Sequence, residues 1–448
     1  MKGKLTRREY ASIASMLFGL FFGAGNLIFP VHMGQMAGSN MIPAVIGLLI
    51  TGVGMPLLAV TALGMSRSSG VYQLSGTVSK KYGAFFSCLL YLTIGPFFAI
   101  PRLAATSFTV GIERFFPENG QIALWIFSLV FFAVTLALSL RPGKILTWVG
   151  LILNPVFLVF LGILVVVAAI HPAAQIWEVA PEGDYVSQAF FTGFLEGYNT
   201  MDVLAGLAFG IVVVQVIRDR GVQEPEQVAK STMLAGVFSC ILMALIYIAV
   251  TVVGTQSRGF VATSDNGGIA LAQIAEHYLG TVGYWVLAVT VTAACLKTAV
   301  GLVTSCAEAF TVIFPKGPKY RVWAIIFVAV AFLIATMGLT AITQWSLPIL
   351  MFLYPLAITL ILLTLLGRFF NHDRAVYISV TALTLVASLY DLMKTLPEEI
   401  RTSWHLNGII DAVGNTLPLA KLGLAWICPA ALGLVIGLVI HAVKTKKA

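Results

Sequence analysis

Four ionisable residues stand inside strongly apolar stretches: Arg102 in IGPFFAIPR, Glu196 and Asp202 in LEGYNTMD, and Lys297 in ACLKTAVGL. In hydrocarbon a charged side chain costs about 2.5–3.5 kcal/mol on insertion scales, so each of these must face a partner, a cavity or a transport pathway. Two apolar runs, one of them that of Glu196 and Asp202, are interrupted. Residues 18–30, FGLFFGAGNLIFP, carry Gly23, Gly25, Asn26 and Pro30 in an otherwise apolar run, and residues 196–202 break a second run with Glu196, Gly197, Tyr198, Asn199, Thr200 and Asp202. A broken helix in a bilayer leaves backbone N–H and C=O groups unpaired, which is tolerated only where the break is buried in protein or lines a cavity. Gly23 and Gly25 alone could instead serve close helix packing; two matched breaks argue for a site.

The chemistry of such a site follows from backbone polarity. A half-helix that starts at the membrane centre, as at Gly25 and Asn26, presents free N–H groups and attracts a carboxylate. Half-helices that end there, at Gly19, Phe21 and Phe22 and at Phe194 and Leu195, present carbonyls that attract an ammonium or a bare alkali cation. A site with both suits a zwitterion, and a free amino acid is the obvious candidate. Phe21, Phe22, Phe194, Leu195 and Tyr198 add apolar surface that favours an apolar substrate side chain. Asp202 has two readings: the acid of a capping box opened by Asn199, or a contact to substrate or cation. Glu196 lies at the negative end of a half-helix, so it is protonated, faces a cation or is ion-paired. Lys297 is near the centre of a 33-residue span and is functional or paired. Arg102 lies nearer the outer end of its span, where it is a structural anchor reaching the interface or takes part in transport.

The elements that position these residues are membrane helices. Over 448 residues, 59% are hydrophobic and 10% charged, with a mean hydropathy of +0.94. The apolar runs reach about 20 residues without strand-like alternation, which predicts an all-α polytopic membrane protein. Twelve spans are expected: Ala11–Pro30, Met41–Met65, Gly83–Val110, Ile122–Leu140, Ile145–Ile170, Phe190–Ile217, Thr232–Val253, Val282–Phe314, Val322–Met337, Ile342–Leu366, Ala375–Met393 and Leu422–Val443. The whole chain, 1–448, reads as one transporter domain. Residues 11–170 form a first five-helix block, 190–366 a second, and 375–443 two additional helices. Five spans is an odd number, so the second block runs upside down relative to the first, with broken first and sixth helices: a 5+5 inverted repeat with its site near the midplane.

The net charge of +8 is a topology signal, because the basic residues sit in short loops. With the N-terminus inside, sixteen of them, Arg67, Lys80, Lys81, Arg141, Lys144, Arg218 and Arg220 among them, fall on the cytoplasmic side and only Arg114, Arg258, Lys394, Arg401 and Lys421 outside. Both termini are therefore expected in the cytoplasm. Lys2, Lys4, Arg7 and Arg8 precede the first span, and Gly23 with Gly25 faintly resembles a signal-peptidase site, but cleavage would destroy the break, so none is expected. The five cysteines lie in apolar spans without a C-x-x-C pair, so neither disulfides nor a transition-metal site is expected. In the outer loop from Thr255 to Gly280, Leu271, Ile274, Ala275 and Tyr278 share a helical face, as a lid or as a helix packed on the surface.

Other classes fit less well. G-x-x-x-x-G-K-[ST] is absent and no region could hold a nucleotide domain, which excludes an ATP motor. An intramembrane enzyme needs a nucleophile with a base or an acid pair at matched depth, and Glu196 with Asp202 is the only near-pair. A channel needs a continuous lined pore, whereas two broken helices in inverted halves suit alternating access.

FFGAGNLIFP, IGPFFAIPR, GYNTMD and ACLKTAVGL, in this order over nearly the whole chain, resemble the bacterial branched-chain amino acid:cation symporter family, the BrnQ-type carriers. The resemblance implies uptake of leucine, isoleucine and valine with a cation, usually sodium, through the inner membrane. No cofactor is implied beyond the coupling ion, sodium or a proton. The partners implied are the small-molecule substrate and the lipid bilayer, with no nucleic acid and no obligate protein partner. The GAGN stretch is also similar to the wider group of LeuT-fold transporters. That likeness implies that the substrate carboxylate meets the amides of Ala24 and Gly25. Its ammonium meets carbonyls near Phe21 and around Phe194 to Glu196, with Gly197 and Tyr198 close by. Asn26 helps bind a cation, and a second sodium uses carbonyls of Gly19, Phe22 and Ala294 with the Thr298 hydroxyl. Lys297 stands where a further hydroxyl ligand is expected, so Lys297, Glu196 and Asp202 are candidates for coupling. A proton-coupled carrier, or a broader neutral amino acid carrier of the same fold, is the alternative.

Overall fold

Thr6 opens the first helix: its Oγ1 accepts the Glu9 N–H at 3.3 Å while its own N–H donates to Glu9 Oε2 at 2.7 Å, a reciprocal capping box. The computed structural model describes residues 5–23, 25–66, 68–140 and 145–447. Lys2, Lys4, Ala24, Arg67, Arg141 and Lys144 lie outside the described residues.

All regular structure among the described residues is helical. Helix α1 (Arg7–Phe21) stops before Gly23, and α2 (Gly25–Ala37) resumes after the break. Then come α3 (Met41–Leu49) and α4 (Met55–Met65), joined through a wider π turn at Ile50–Gly54, and the short α5 (Val71–Ser75). A second π turn, Thr93–Phe97, joins α6 (Lys80–Leu92) to α7 (Ala99–Gly111), and Gly95 and Pro96 account for it: Gly95 is non-helical and Pro96 lacks an N–H. After α8 (Gly120–Leu140) and α9 (Ile145–Ile170), the chain enters α10 (Tyr185–Asn199) and α11 (Asp202–Asp219), bent 44° apart. The long helices α12 (Pro225–Ser257) and α13 (Gly267–Ile313) precede α14 (Tyr320–Ala335) and α15 (Leu339–Leu366). Outside the two blocks lie α16 (Arg374–Thr395), the short α17 (Glu398–Ser403) and α18 (Asn407–Thr416), and α19 (Ile427–Lys447).

The packing is reciprocal. Helices α3 and α4 of the first block lie on α10 and α11, the broken span of the second, while α12 lies on α1 and α2, the broken span of the first. Helices α7 and α13 pack on each other between them. Small residues bring the backbones together: a Cβ at Gly193 would strike the Ala44 carbonyl and one at Gly47 the Phe190 carbonyl.

By length and apolarity eight described helices can cross a membrane, or nine if α10 and α11 count as one bent span, against the twelve expected. Gly25–Met65 runs as one helical stretch of 41 residues across two expected spans, and Val156–Ile170 within α9, and α14, rank as shorter apolar helices. The expected outer segment forms the first part of α13, capped by Asn266 and bent at Gly280, whose φ is +62°. Leu271, Ile274 and Ala275 are buried, and a Cβ at Gly267 would strike the Ile28 carbonyl, so this segment is packed on α2.

Candidate functional site

The second break is not where the sequence suggested. Helix α10 continues through Phe194, Leu195, Glu196, Gly197 and Tyr198 to Asn199, and the chain turns only at Met201, which adopts a left-handed φ of 61°. The reason lies in the neighbours. Thr51 Oγ1 of the π turn donates to the Phe194 carbonyl at 2.6 Å, and a Cβ at Gly197 would collide with that same hydroxyl, so this part of α10 is fixed against the first block. Phe194 and Leu195 therefore do not end a half-helix. Tyr198 is fully buried and stacks on Tyr354, with ring centroids 4.1 Å apart. Glu196 is half-buried and accepts from Asn199 Nδ2 at 3.3 Å.

Asn199 is likewise not an N-cap, and Asp202 is not the acid of a capping box. The spacing imitates that motif, but the left-handed Met201 moves the helix start to Asp202 and turns its carboxyl across the structure. Asn26 Nδ2 donates to Asp202 Oδ2 at 2.6 Å and also to Tyr247 OH, and Tyr247 OH donates to the same carboxyl oxygen at 3.1 Å. Asn26 Oδ1 accepts the Gly23 N–H at 2.8 Å. The Asn26 amide thus ties the end of α1, the start of α11 and the middle of α12 into one buried knot. Tyr247 was not legible, because a lone tyrosine in ALIYIAV looks like any other apolar-span aromatic.

Between the breaks lies a cavity of about 290 Å³. One wall is the end of α1 and the start of α2, with Gly19, Phe21, Phe22, Gly25 and Asn26. Opposite are Thr200, Met201, Asp202, Ala205 and Phe209 of the second break and α11. Arg102, Leu103 and Thr106 come from α7, and Lys297, Thr298, Gly301 and Ser305 from α13. Pockets for small molecules span roughly 300–1,000 Å³, so this one suits a ligand at the small end. It extends along Met16 of α1, Val212 of α11 and Ser305 of α13, the ends of these helices expected to face the cytoplasm. Phe194, Glu196, Gly197 and Tyr198 do not line it.

Arg102 is not at an interface. It is 6% exposed, its Nη1 donates to the Asn199 carbonyl at 2.8 Å, and its guanidinium lies 4.9 Å from the centre of the Phe29 ring. A second small cavity of about 20 Å³ adjoins the first, lined by Phe22, Gly23, Leu27, Phe157, Ala294 and Thr298 among others. That is room for one water-sized species, for which roughly 10–15 Å³ suffices. Three of the residues expected at the second cation, Phe22, Ala294 and Thr298, meet here, while Gly19 faces the larger cavity. Thr298 Oγ1 donates to the Ala294 carbonyl at 3.0 Å. Lys297 lines both cavities and, among the described residues, makes no hydrogen bond or ion pair.

The model of a family described as branched-chain amino acid transport protein matches residues 6–444. The chain is 49% identical to the branched-chain amino acid permease BrnQ of Lactobacillus delbrueckii subsp. lactis, over 100% of both chains. It is 38% identical to the permease BrnQ of Bacillus subtilis, again over 100% of both. With the branched-chain amino acid transport system 2 carrier protein of Pseudomonas aeruginosa it shares 38% identity, covering 96% of this chain and 95% of that one. Among solved structures it is similar to Mhp1, a nucleobase-cation-symport-1 family transporter, in a closed conformation with bromovinylhydantoin bound: TM-score 0.60, 16% identity, covering 96% of this chain and 91% of that one. The inward-facing conformation of Mhp1 gives a TM-score of 0.59 at 15% identity, covering 97% and 91%. At such identity the likeness establishes the fold, the LeuT-like architecture of a multi-pass membrane protein.

Proposed function

The chain belongs to the branched-chain amino acid transport protein family, and from that premise we propose that it is a secondary active symporter importing leucine, isoleucine and valine with a cation, sodium, through a bacterial inner membrane by alternating access. Both termini are cytoplasmic, and no bond is made or broken in the substrate, as befits relatives named permeases and carriers. The observation that carries this reading is a small cavity bounded by both helix breaks and walled largely by apolar side chains such as Ile94, Leu103, Phe209 and Leu302.

In this reading the substrate carboxylate approaches the N-terminus of α2 at Gly25, the positive end of its dipole. Its ammonium is left the carbonyls that end α1 at Phe21 and the Asp202 carboxyl, since Phe194 to Glu196 are turned away from the cavity. The branched side chain lies among the apolar walls. As co-transported cargo, sodium takes the oxygen donors of Phe22, Ala294 and Thr298, hard ligands suited to an alkali ion. A second reading, proton coupling, is favoured by one observation: Lys297 borders that same small cavity without a counter-charge. Two cations a few Å apart in a low-dielectric site repel by several kcal/mol, so a charged Lys297 and a sodium ion compete.

The test is uptake of labelled leucine by proteoliposomes under an inward sodium gradient. Uptake is expected to exceed that in choline, to be inhibited by excess valine and isoleucine, and to be insensitive to lysine and glutamate. Equal inhibition by every amino acid would overturn the substrate assignment, and equal uptake in sodium and choline would overturn the sodium assignment.

A further inference from the structure

We propose that Arg102 is the residue that reads the substrate carboxylate. This assignment rests on the proposed amino acid substrate and adds to it a specificity-determining side chain. Arg102 lines the cavity although it is only 6% exposed overall. Its Nη1 is held by the Asn199 carbonyl at the end of α10. The plane is backed by Phe29 at 4.9 Å, a cation–π contact that fixes its orientation. Nη2 lies 3.6 Å from the point a Cβ on Gly25 would occupy, beside the first residue of α2.

Two kinds of donor therefore converge on one spot of the cavity wall: the end of the guanidinium away from Asn199, and the N-terminus of a 13-residue helix at Gly25, where the Asn26 N–H is already given to the Gly23 carbonyl. Among the described residues Arg102 has no ion-pair partner. The nearest acid on the opposite wall, Asp202, is already held by Asn26 and Tyr247. Asp202 and Glu196 act on the guanidinium only from beyond contact distance, and an incoming α-carboxylate supplies a direct partner with the planar, two-oxygen geometry that a guanidinium matches. Gly25 leaves the approach open, because any side chain there would stand between the two donors.

The experiment compares leucine with leucine amide, which keeps the ammonium and the branched side chain but has no carboxylate. Each is titrated calorimetrically against purified protein in sodium. The parent is expected to prefer leucine by roughly 10- to 100-fold, the range of a charge-assisted hydrogen-bond pair. Arg102→Gln is expected to reduce that preference several-fold, the start of α2 retaining the rest, while leaving binding of the amide near the parent's. Arg102→Lys, which keeps the charge without the fork, is expected to give an intermediate preference and serves as the arbiter if the glutamine variant does not fold. A guanidinium with a purely structural role would weaken both ligands by the same factor and leave their ratio unchanged in either variant, and that result overturns the assignment. A parent that binds neither ligand overturns the substrate reading itself, and this assignment with it.

Discussion

Asn26 satisfies its whole side-chain amide inside the protein, with the Gly23 N–H on Oδ1 and the Asp202 carboxyl and Tyr247 hydroxyl on Nδ2. Asn26→Ala removes all three contacts and leaves Asp202 with the tyrosine alone. The expected cost is about 1.5–3 kcal/mol of stability, the range for a hydrogen bond to an ionisable group, together with loss of leucine binding. Tyr247→Phe keeps the Asn26–Asp202 bond but also removes a hydrogen bond to the Asp202 carboxyl, so it is expected to cost about 1.5–3 kcal/mol as well. Denaturation of the two single variants and the double variant closes the cycle, and a sum that is simply additive would mean that the three groups do not act as one network. Lys297 gives a prediction of the opposite kind, because its ammonium is unpaired beside the small cavity. Lys297→Thr is expected to increase sodium dependence and flatten the pH dependence of leucine uptake; a variant with the parent's sodium activation curve and pH profile would exclude the ammonium from coupling. What was legible at this scale was residue type. Gly23, Gly25 and Asn26 announce a break because few other residues tolerate one, and Asp202, Lys297 and Arg102 announce themselves by charge. Partners were not legible: Tyr247 is 221 residues from Asn26, and Asn199 with Asp202 carried a capping spacing that the left-handed Met201 does not use.

At the scale of elements, the contact between α3 and α10 is made by backbone rather than by side chains. With no water to expel, membrane helices associate through close packing, and Gly47 and Gly193 allow it. Gly193→Val inserts a branched side chain against the Ala44 carbonyl and is expected to destabilise by roughly 1–3 kcal/mol, read as a lower melting temperature in detergent, whereas the same change at Gly162, with nothing within 4 Å of its added Cβ, is expected to be nearly silent. Asp373 makes a different element contact. It caps α16 through the Ala375 N–H at 2.9 Å and meets His441 and Lys444 of α19 at 2.9 and 3.8 Å. The Ala375 N–H first, then His441 and Lys444, hold its carboxyl below the ordinary 3.8. A depressed folded-state value means the stabilisation is fully present above the unfolded value and is lost as pH falls through the folded one. Asp373→Asn is accordingly expected to melt earlier than the parent at neutral pH, with the difference closing below the ordinary carboxylate range. The apolar runs foretold where helices lie, since long apolar stretches have few alternatives in a bilayer. They did not foretell the π turn at Ile50–Gly54, against which α10 packs.

At the scale of the molecule, the cavity between the breaks extends toward the ends of α1, α11 and α13 that carry Met16, Val212 and Ser305, while the opposite side is bridged by polar contacts at the end of α12. There Arg258, just past the end of α12, meets Glu182 at 2.5 Å and donates to the Gln35 carbonyl of α2 at 3.3 Å, and Thr263 donates to Glu182 at 3.0 Å. These contacts join the loop before α10, the end of α2 and the end of α12, parts that must separate if the site is to open to that side. Since Arg258 and Glu182 side chains are 21% and 39% exposed, their pairing contributes on the order of 1 kcal/mol or less, which is still a factor of about five between two conformations. Alternating access requires such a small bias, because a latch much stronger than the binding energy would hold the carrier in one state. Glu182→Gln is therefore expected to shift the population toward the state open on the Arg258 side without unfolding the protein. The reporter is Ser305→Cys in a background with Cys88, Cys240, Cys295, Cys306 and Cys428 replaced, labelled by an impermeant maleimide applied to inside-out vesicles. With Glu182 intact, labelling is expected to be fast from the face on which Ser305 lies, the cytoplasmic one in the proposed orientation; with Glu182→Gln it is expected to slow by up to about fivefold, and leucine with sodium should modulate both. Equal labelling rates in the two proteins would mean that closure on the outer side is held elsewhere, by the backbone contacts of α2 with α12 and α13, and that Glu182 is only a surface partner of Arg258.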